Sequence, residues 1–230
     1  MKRPMKCLWS RWMCGGLLLL GVVSCSTPGG RQAAIQLFGG KDLAGWKFVL
    51  AEPEVRLGQV WSVQDGILTC QGTPLGFLYR EPAVGNFRLV VEYRWPPGSA
   101  PGNSGIFSRM SGPFKPLPCA VEVQLKHGSA GDVLGLQGKT IAGGQPRFFE
   151  VKKHAVAGDI AGVGKLLDAE NPPGEWNRVE ILAQGAHYRV WLNGKLVNEV
   201  AGVHTGAGLI GVQSEGGVIQ FRRIVLTPLD

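Results

Sequence analysis

Between Trp176 and Val200 the chain reads WNRVEILA, QG, AHYRVWL, NG, KLVNEV, three runs of alternating apolar and polar residues separated by two tight turns. Asn193-Gly194 between such runs is a strong hairpin signal, because both central residues of the turn take positive φ. An alternation of period two cannot line one face of a helix, so this stretch predicts paired strands. The same grammar recurs at Trp46–Leu50, Val60–Val63, Ile67–Gln71, Gly76–Tyr79, Phe87–Trp95, Ser104–Met110, Ala120–His127, Leu209–Gln213 and Val218–Thr227. The stretches long enough for a helix, such as Ala155–Lys165, are broken by glycine. More than ten short strands with turns between them predict an all-β, antiparallel sandwich or barrel in a single domain.

The first 24 residues stand apart. Lys2, Arg3, Lys6 and Arg11 make a basic start, Gly15 to Val23 an apolar stretch, and Ser24 is a small residue before Cys25. That pattern is a secretory signal peptide. Val22-Val23-Ser24-Cys25 also resembles the bacterial lipobox, so residues 1–24 are expected to leave and Cys25 to carry a lipid. Ser26 after the cysteine points to the outer membrane, and residues 25–35 to a short tether ahead of a domain spanning 36–230. Without the leader the chain holds 20 basic against 17 acidic residues, a balance of +3 where the full chain has +7. That excess is too small to argue for a nucleic-acid partner, and none is expected. No later apolar run reaches the roughly 18–20 residues of a membrane helix, so membrane association is expected through the lipid alone. Cys70 and Cys119 survive in an oxidising compartment, where a bridge between them is permitted but not specified by sequence.

If Ala120 to His127 is one extended strand, Val121, Val123 and Leu125 share one face and Glu122, Gln124 and Lys126 the other. The second row sets an acid, an amide and a base about 6.6 Å apart from one another in turn. In the Asn103 to Arg109 segment, alternation places Asn103, Gly105, Phe107 and Arg109 together. An amide and a guanidinium suit sugar hydroxyls, an aromatic ring suits a C–H face, and an in-strand glycine leaves room for close approach. Trp46, Trp61, Tyr79, Trp95, Trp176, Trp191 and Glu215 complete the candidates, most of the tryptophans reading as packing. His127, His154, His187 and His204 show no metal-ligand spacing.

The motifs LFGGKDLAGW (37–46), NFRLVVEYRW (86–95), GNSGIFSR (102–109), EVQL (122–125), PGEWNRVEI (173–181), VWLNGKLVNE (190–199) and GLIGVQSEGGVIQFRRIVLTPL (208–229) resemble the 3-keto-disaccharide hydrolase domain family. The resemblance implies a concanavalin A-like jelly roll, secretion from a bacterium, and a site on one sheet that includes Asn103, Arg109, Glu122, Gln124 and Glu215. It also implies an oligosaccharide or glycoside substrate.

Ordinary glycosidases need two carboxyl groups, about 5–5.5 Å apart for retention or about 6.5–9.5 Å for inversion. Beside Glu122 on its own face stand Gln124 and Lys126, so this strand carries no such pair. A 3-keto sugar lifts the requirement. Its ketone acidifies the hydrogen on carbon 2, so one base can start an elimination that expels the aglycone, and water then adds. Glu122, Lys126 and His127 are the candidate bases, with Arg109 or a bound divalent cation to stabilise the enolate. A non-catalytic carbohydrate-binding sandwich is the competing expectation, and a scaffold or adhesion module without a sugar site is the third.

Overall fold

Alternation becomes two sheets. The computed structural model describes Met1 and residues 32–230, so the expected leader, the lipid site at Cys25 and most of the tether lie outside the described residues. The strands, in chain order, are β1 (Ile35–Phe38), β2 (Lys47–Leu50), β3 (Trp61–Gln64), β4 (Ile67–Cys70), β5 (Gly76–Val84) and β6 (Phe87–Arg94). They continue with β7 (Gly105–Ser111), β8 (Cys119–Gln124), β9 (Val133–Gly135), β10 (Phe148–His154) and β11 (Gly158–Val163). The last five are β12 (Asn177–Gln184), β13 (His187–Leu192), β14 (Lys195–Val200), β15 (Gly208–Ser214) and β16 (Ile219–Pro228). One short helix, α1 (Leu57–Val60), precedes β3.

Sheet A runs β14-β13-β12-β6-β16-β4-β3 with β1 added to β16, and sheet B runs β10-β11-β9-β8-β7-β15-β5-β2; each has eight strands. The pairs within them are antiparallel. The fold is therefore the expected all-β two-sheet sandwich. β1 starts at Ile35 and pairs with β16, so the domain begins one residue before the expected boundary at 36.

The predicted hairpin forms as β12-β13-β14, with Asn193 at φ 52° and Gly194 at φ 79°. Between the sheets lie Leu89, Val91, Ile181, Val190 and Ile224 from sheet A against Ile106, Val121, Val123, Leu125 and Val212 from sheet B. Each such side chain contributes about 1.5–3 kcal/mol by leaving water. Trp61 and Trp95 belong to this core, which takes both out of the sugar-binding candidates.

The two outer faces differ. Sheet A presents ion pairs to solvent, among them Arg88–Glu180 at 2.6 Å and Arg189–Glu199 at 2.7 Å. Sheet B carries a second apolar cluster on its outside, built from Phe77, Phe107, Met110, Leu117, Leu134 and Leu136 under the 112–118 loop. A charged face solvates itself, whereas an apolar face next to polar residues can form a cleft.

The β10–β11 hairpin falls where the sequence predicts only a glycine-broken segment. β10 is an edge strand, exposed almost throughout, and an edge strand without a buried face leaves no alternation to read. Cys70 and Cys119 are not bonded to each other. Burial raises the Cys70 thiol pKa to about 11.

Candidate functional site

Three cross-strand rows on the outer face of sheet B assemble the site. Glu122 on β8 stands opposite Phe107 on β7, which stands opposite Gly211 on β15, and Gly211 opposite Tyr79 on β5. The next row runs from Gln124 to Gly105, and one ladder step beyond the Val212–Ile106 pair puts Gln213 beside Gly105 and next to Phe77. In the third row the ladder continues through Leu125 N–H to Ser104 O, His127 N–H to Gly102 O and Asn103 N–H to Gly216 O. Asn103 thereby sits between Lys126 and Glu215.

Glu122 is only 3% exposed, and its carboxyl leans diagonally over Gly105. A β-carbon at Gly105 would overlap Glu122 Oε1, so the glycine is the space the acid occupies. Oε1 has no hydrogen-bond partner. Burial, and secondarily the Glu215 charge, hold the Glu122 carboxyl well above the usual carboxylate range. Glu215 is exposed overall, but partial burial of its carboxyl raises it too, while Gln213, His154 and Lys126 pull it back.

Gln124 turns its Oε1 back to accept the Leu125 and Lys126 backbone N–H groups at 3.0 and 2.9 Å, which ends β8 there and not at His127. Lys126 is exposed and close enough to act on Glu215.

Three expected placements are corrected. Arg109 does not face the groove. It adopts φ 51° inside a β-bulge between Ser108 and Ser111, and the extra residue turns Arg109 inward while Met110 takes the outer face. Gly208 permits the bulge, because a β-carbon there would meet the Arg109 and Met110 backbone. The Arg109 guanidinium is 0% exposed, donates to the carbonyls of Gly85, Gly185 and His204, and lies 5.0 Å from the Tyr188 ring centre. His127 also points elsewhere, with Nδ1 2.9 Å from Glu170, whose other oxygen accepts from Tyr93 and Trp95. Phe107 is on the expected face but lies at its floor, edge-on to Phe77 at 5.8 Å. The aromatic surface nearer solvent is the half-buried Tyr79–Phe114 pair, 4.8 Å apart.

Sequence reasoning missed Gln213. It is 0% exposed, and neither Nε2 nor Oε1 has a partner. The alternation that nominated Glu215 places Gln213 on the same face, so the signal was present. Asn103 Oδ1 is likewise buried without a partner. Four orphaned buried polar atoms in adjoining rows is a concentration that folded proteins rarely tolerate without a bound partner.

A cleft of about 560 Å³ opens between the 115–117 loop and the 154–158 turn, with His154 on its wall. Among the described residues no three His, Cys, Asp or Glu side chains gather as a metal cage.

The model of the 3-keto-alpha-glucoside-1,2-lyase-like domain matches residues 33–227. The chain belongs to that family. A solved candidate glycosyl hydrolase from Parabacteroides distasonis is 21% identical, with 86% of this chain and 94% of that one covered at a TM-score of 0.59. The carbohydrate-binding module CBM66 from Bacillus subtilis is 14% identical, over 80% and 95% of the two chains, at a TM-score of 0.54. LamAcat from Zobellia galactanivorans is 10% identical, over 86% and 97%, also at 0.54. At these identities the likeness speaks for a shared concanavalin A-like jelly roll. No curated protein matches the chain in sequence.

Proposed function

We propose that the protein cleaves 3-keto-glycosides, with Glu122 as the base, and that it works as an exported lipoprotein held at the outer membrane through Cys25. The observation that carries the reading is the environment of Glu122: buried, unpaired at Oε1, leaning over Gly105 and held well above the usual carboxylate range. A carboxylate so placed is a stronger base than one in water, which suits removal of a carbon-bound proton beside a ketone.

In this reading Glu122 takes the hydrogen from carbon 2 and the electron pair is held as the enolate. The enolate collapses to a carbon 1–carbon 2 double bond as the aglycone oxygen leaves from carbon 1 and is protonated. Water then adds across the double bond to give the free 3-keto sugar. With Arg109 turned inward, enolate stabilisation falls to other groups. With His127 on Glu170, Lys126 is the remaining competitor for the base.

One observation favours a second reading. Glu215, just past the end of β15, supplies a second carboxyl whose charge helps to raise Glu122. That pair is what a two-carboxylate hydrolase of unoxidised glycosides would need.

The test is release of p-nitrophenol from the 3-keto-glucoside and from the parent glucoside by wild type, Glu122→Gln and Lys126→Met. The proposal expects release from the keto sugar alone and a loss of about 10²–10⁴-fold in Glu122→Gln. Loss only in Lys126→Met moves the base to the lysine. Release from the parent glucoside selects the two-carboxylate reading. Sugar binding without release makes the protein a binding module.

A further inference from the structure

Gln213 is the buried side chain with the most unmet hydrogen-bonding capacity in this site. Its amide offers one donor and one acceptor side by side, both unpartnered, at zero exposure. A buried donor or acceptor left unmet is costly, so such groups are normally paired. A group that satisfies both at once must present an acceptor next to a donor. Its backbone is fixed, since the Gln213 carbonyl accepts from the Ser104 hydroxyl at 2.9 Å.

Position narrows the ligand group further. Gln213 flanks Gly105 on one side, and the Glu122 carboxyl lies over Gly105 from the other. A sugar carbon whose hydrogen faces Glu122 would therefore have its neighbouring oxygen toward Gln213. Glu215, two residues on and just past the end of β15, is exposed and feels the Gln213 amide, although no hydrogen bond closes between them.

We infer that Gln213 recognises the α-hydroxy-ketone edge of the sugar, Nε2 donating to the carbon 3 carbonyl oxygen and Oε1 accepting from the hydroxyl on carbon 4. The inference rests on the proposed 3-keto-glycoside cleavage and supplies the enolate stabiliser that Arg109 cannot be. The carbonyl oxygen gains negative charge as Glu122 withdraws the carbon 2 proton, so the Nε2 hydrogen bond strengthens on the way to the transition state. The carbon 4 hydroxyl keeps its charge throughout, so its bond to Oε1 contributes equally to binding and to turnover.

The test uses p-nitrophenyl 3-keto-glucoside, unlabelled and deuterated at carbon 2, with wild type, Gln213→Glu and Gln213→Leu. Gln213→Glu keeps shape but replaces the donor with an acceptor. Both variants are expected to lose about 10²–10³-fold in kcat with a smaller change in KM. Both should also show an isotope effect on kcat at least as large as the wild type's, as proton removal becomes the slow step. A kcat within about threefold of wild type in both variants overturns the assignment and leaves Gln213 bonded to a structural water, while the base assignment stands. No turnover by wild type sinks the parent reading, and calorimetric binding of the keto sugar then decides for Gln213: retained affinity in both variants overturns it. If Gln213→Leu fails to fold, Gln213→Glu and Gln213→Asn carry the same comparison.

Discussion

The Glu122 carboxyl occupies the volume that a side chain at Gly105 would fill, one strand away. The acid and the glycine are one device: the glycine supplies the berth, and the berth keeps the acid out of water. Gly105→Ala should therefore displace Glu122. Since the clash involves the end of a flexible side chain, the variant is expected to fold with a loss of about 1–3 kcal/mol, typical of an overpacked site. Turnover of a 3-keto-glucoside should fall about as far as in Glu122→Gln, measured beside a thermal melt. Full activity in Gly105→Ala would show that the berth is not needed.

Ionisation of Glu122 should weaken the fold. Its pKa is raised in the folded state, so the folded protein holds the proton more tightly than the unfolded chain. The stabilisation is present below the ordinary carboxylate pKa and is lost as pH rises through the folded value, with a limiting slope of about 1.4 kcal/mol per pH unit for one proton. Glu122→Gln, which cannot ionise, should flatten that part of the pH–stability curve above about pH 4.5, as read by urea unfolding at a series of pH values. Glu215 retains its own smaller share in the same direction. Identical curves for wild type and variant would contradict the burial of a titrating Glu122.

Arg109 is predicted to matter for stability and not for chemistry. Its guanidinium joins three separated backbone segments, through Gly85, Gly185 and His204. Arg109→Met would strand those carbonyls and should cost about 2–4 kcal/mol. Arg109→Lys should recover only part of that, because one ammonium cannot reach all three as the planar fork does. Catalytic constants of the folded fraction should stay near wild type, and a selective loss of kcat in Arg109→Lys would return Arg109 to the reaction.

Cys25→Ala should release the protein from membranes into the soluble periplasmic fraction with the melting temperature of the domain unchanged, because β1 begins ten residues later. Fractionation of cells expressing each form, with labelling by a fatty-acid analogue, checks this. A wild-type chain that is soluble and unlabelled would remove the anchor.

Sequence alone determined the class of fold and much of which residues share the outer face of sheet B. Alternation is a local property of the chain, so Val121, Val123 and Leu125 could be assigned to the core, and Glu122 and Gln124 to the opposite face. The Asn193-Gly194 turn announced its hairpin in the same way. Alternation fails where one residue breaks the count: the bulge at Arg109 moves that side chain to the other face, and its cause includes Gly208, a hundred residues away on a neighbouring strand. It also fails at β10, an edge strand with little to bury. The environment of Glu122 depends on Gly105 and Glu215 from two other strands, and burial, unlike alternation, is set by segments distant in sequence. The residues were written in the chain, whereas the berth over Gly105, the orphaned amide of Gln213 and the inward Arg109 came only from the packing of strands against one another.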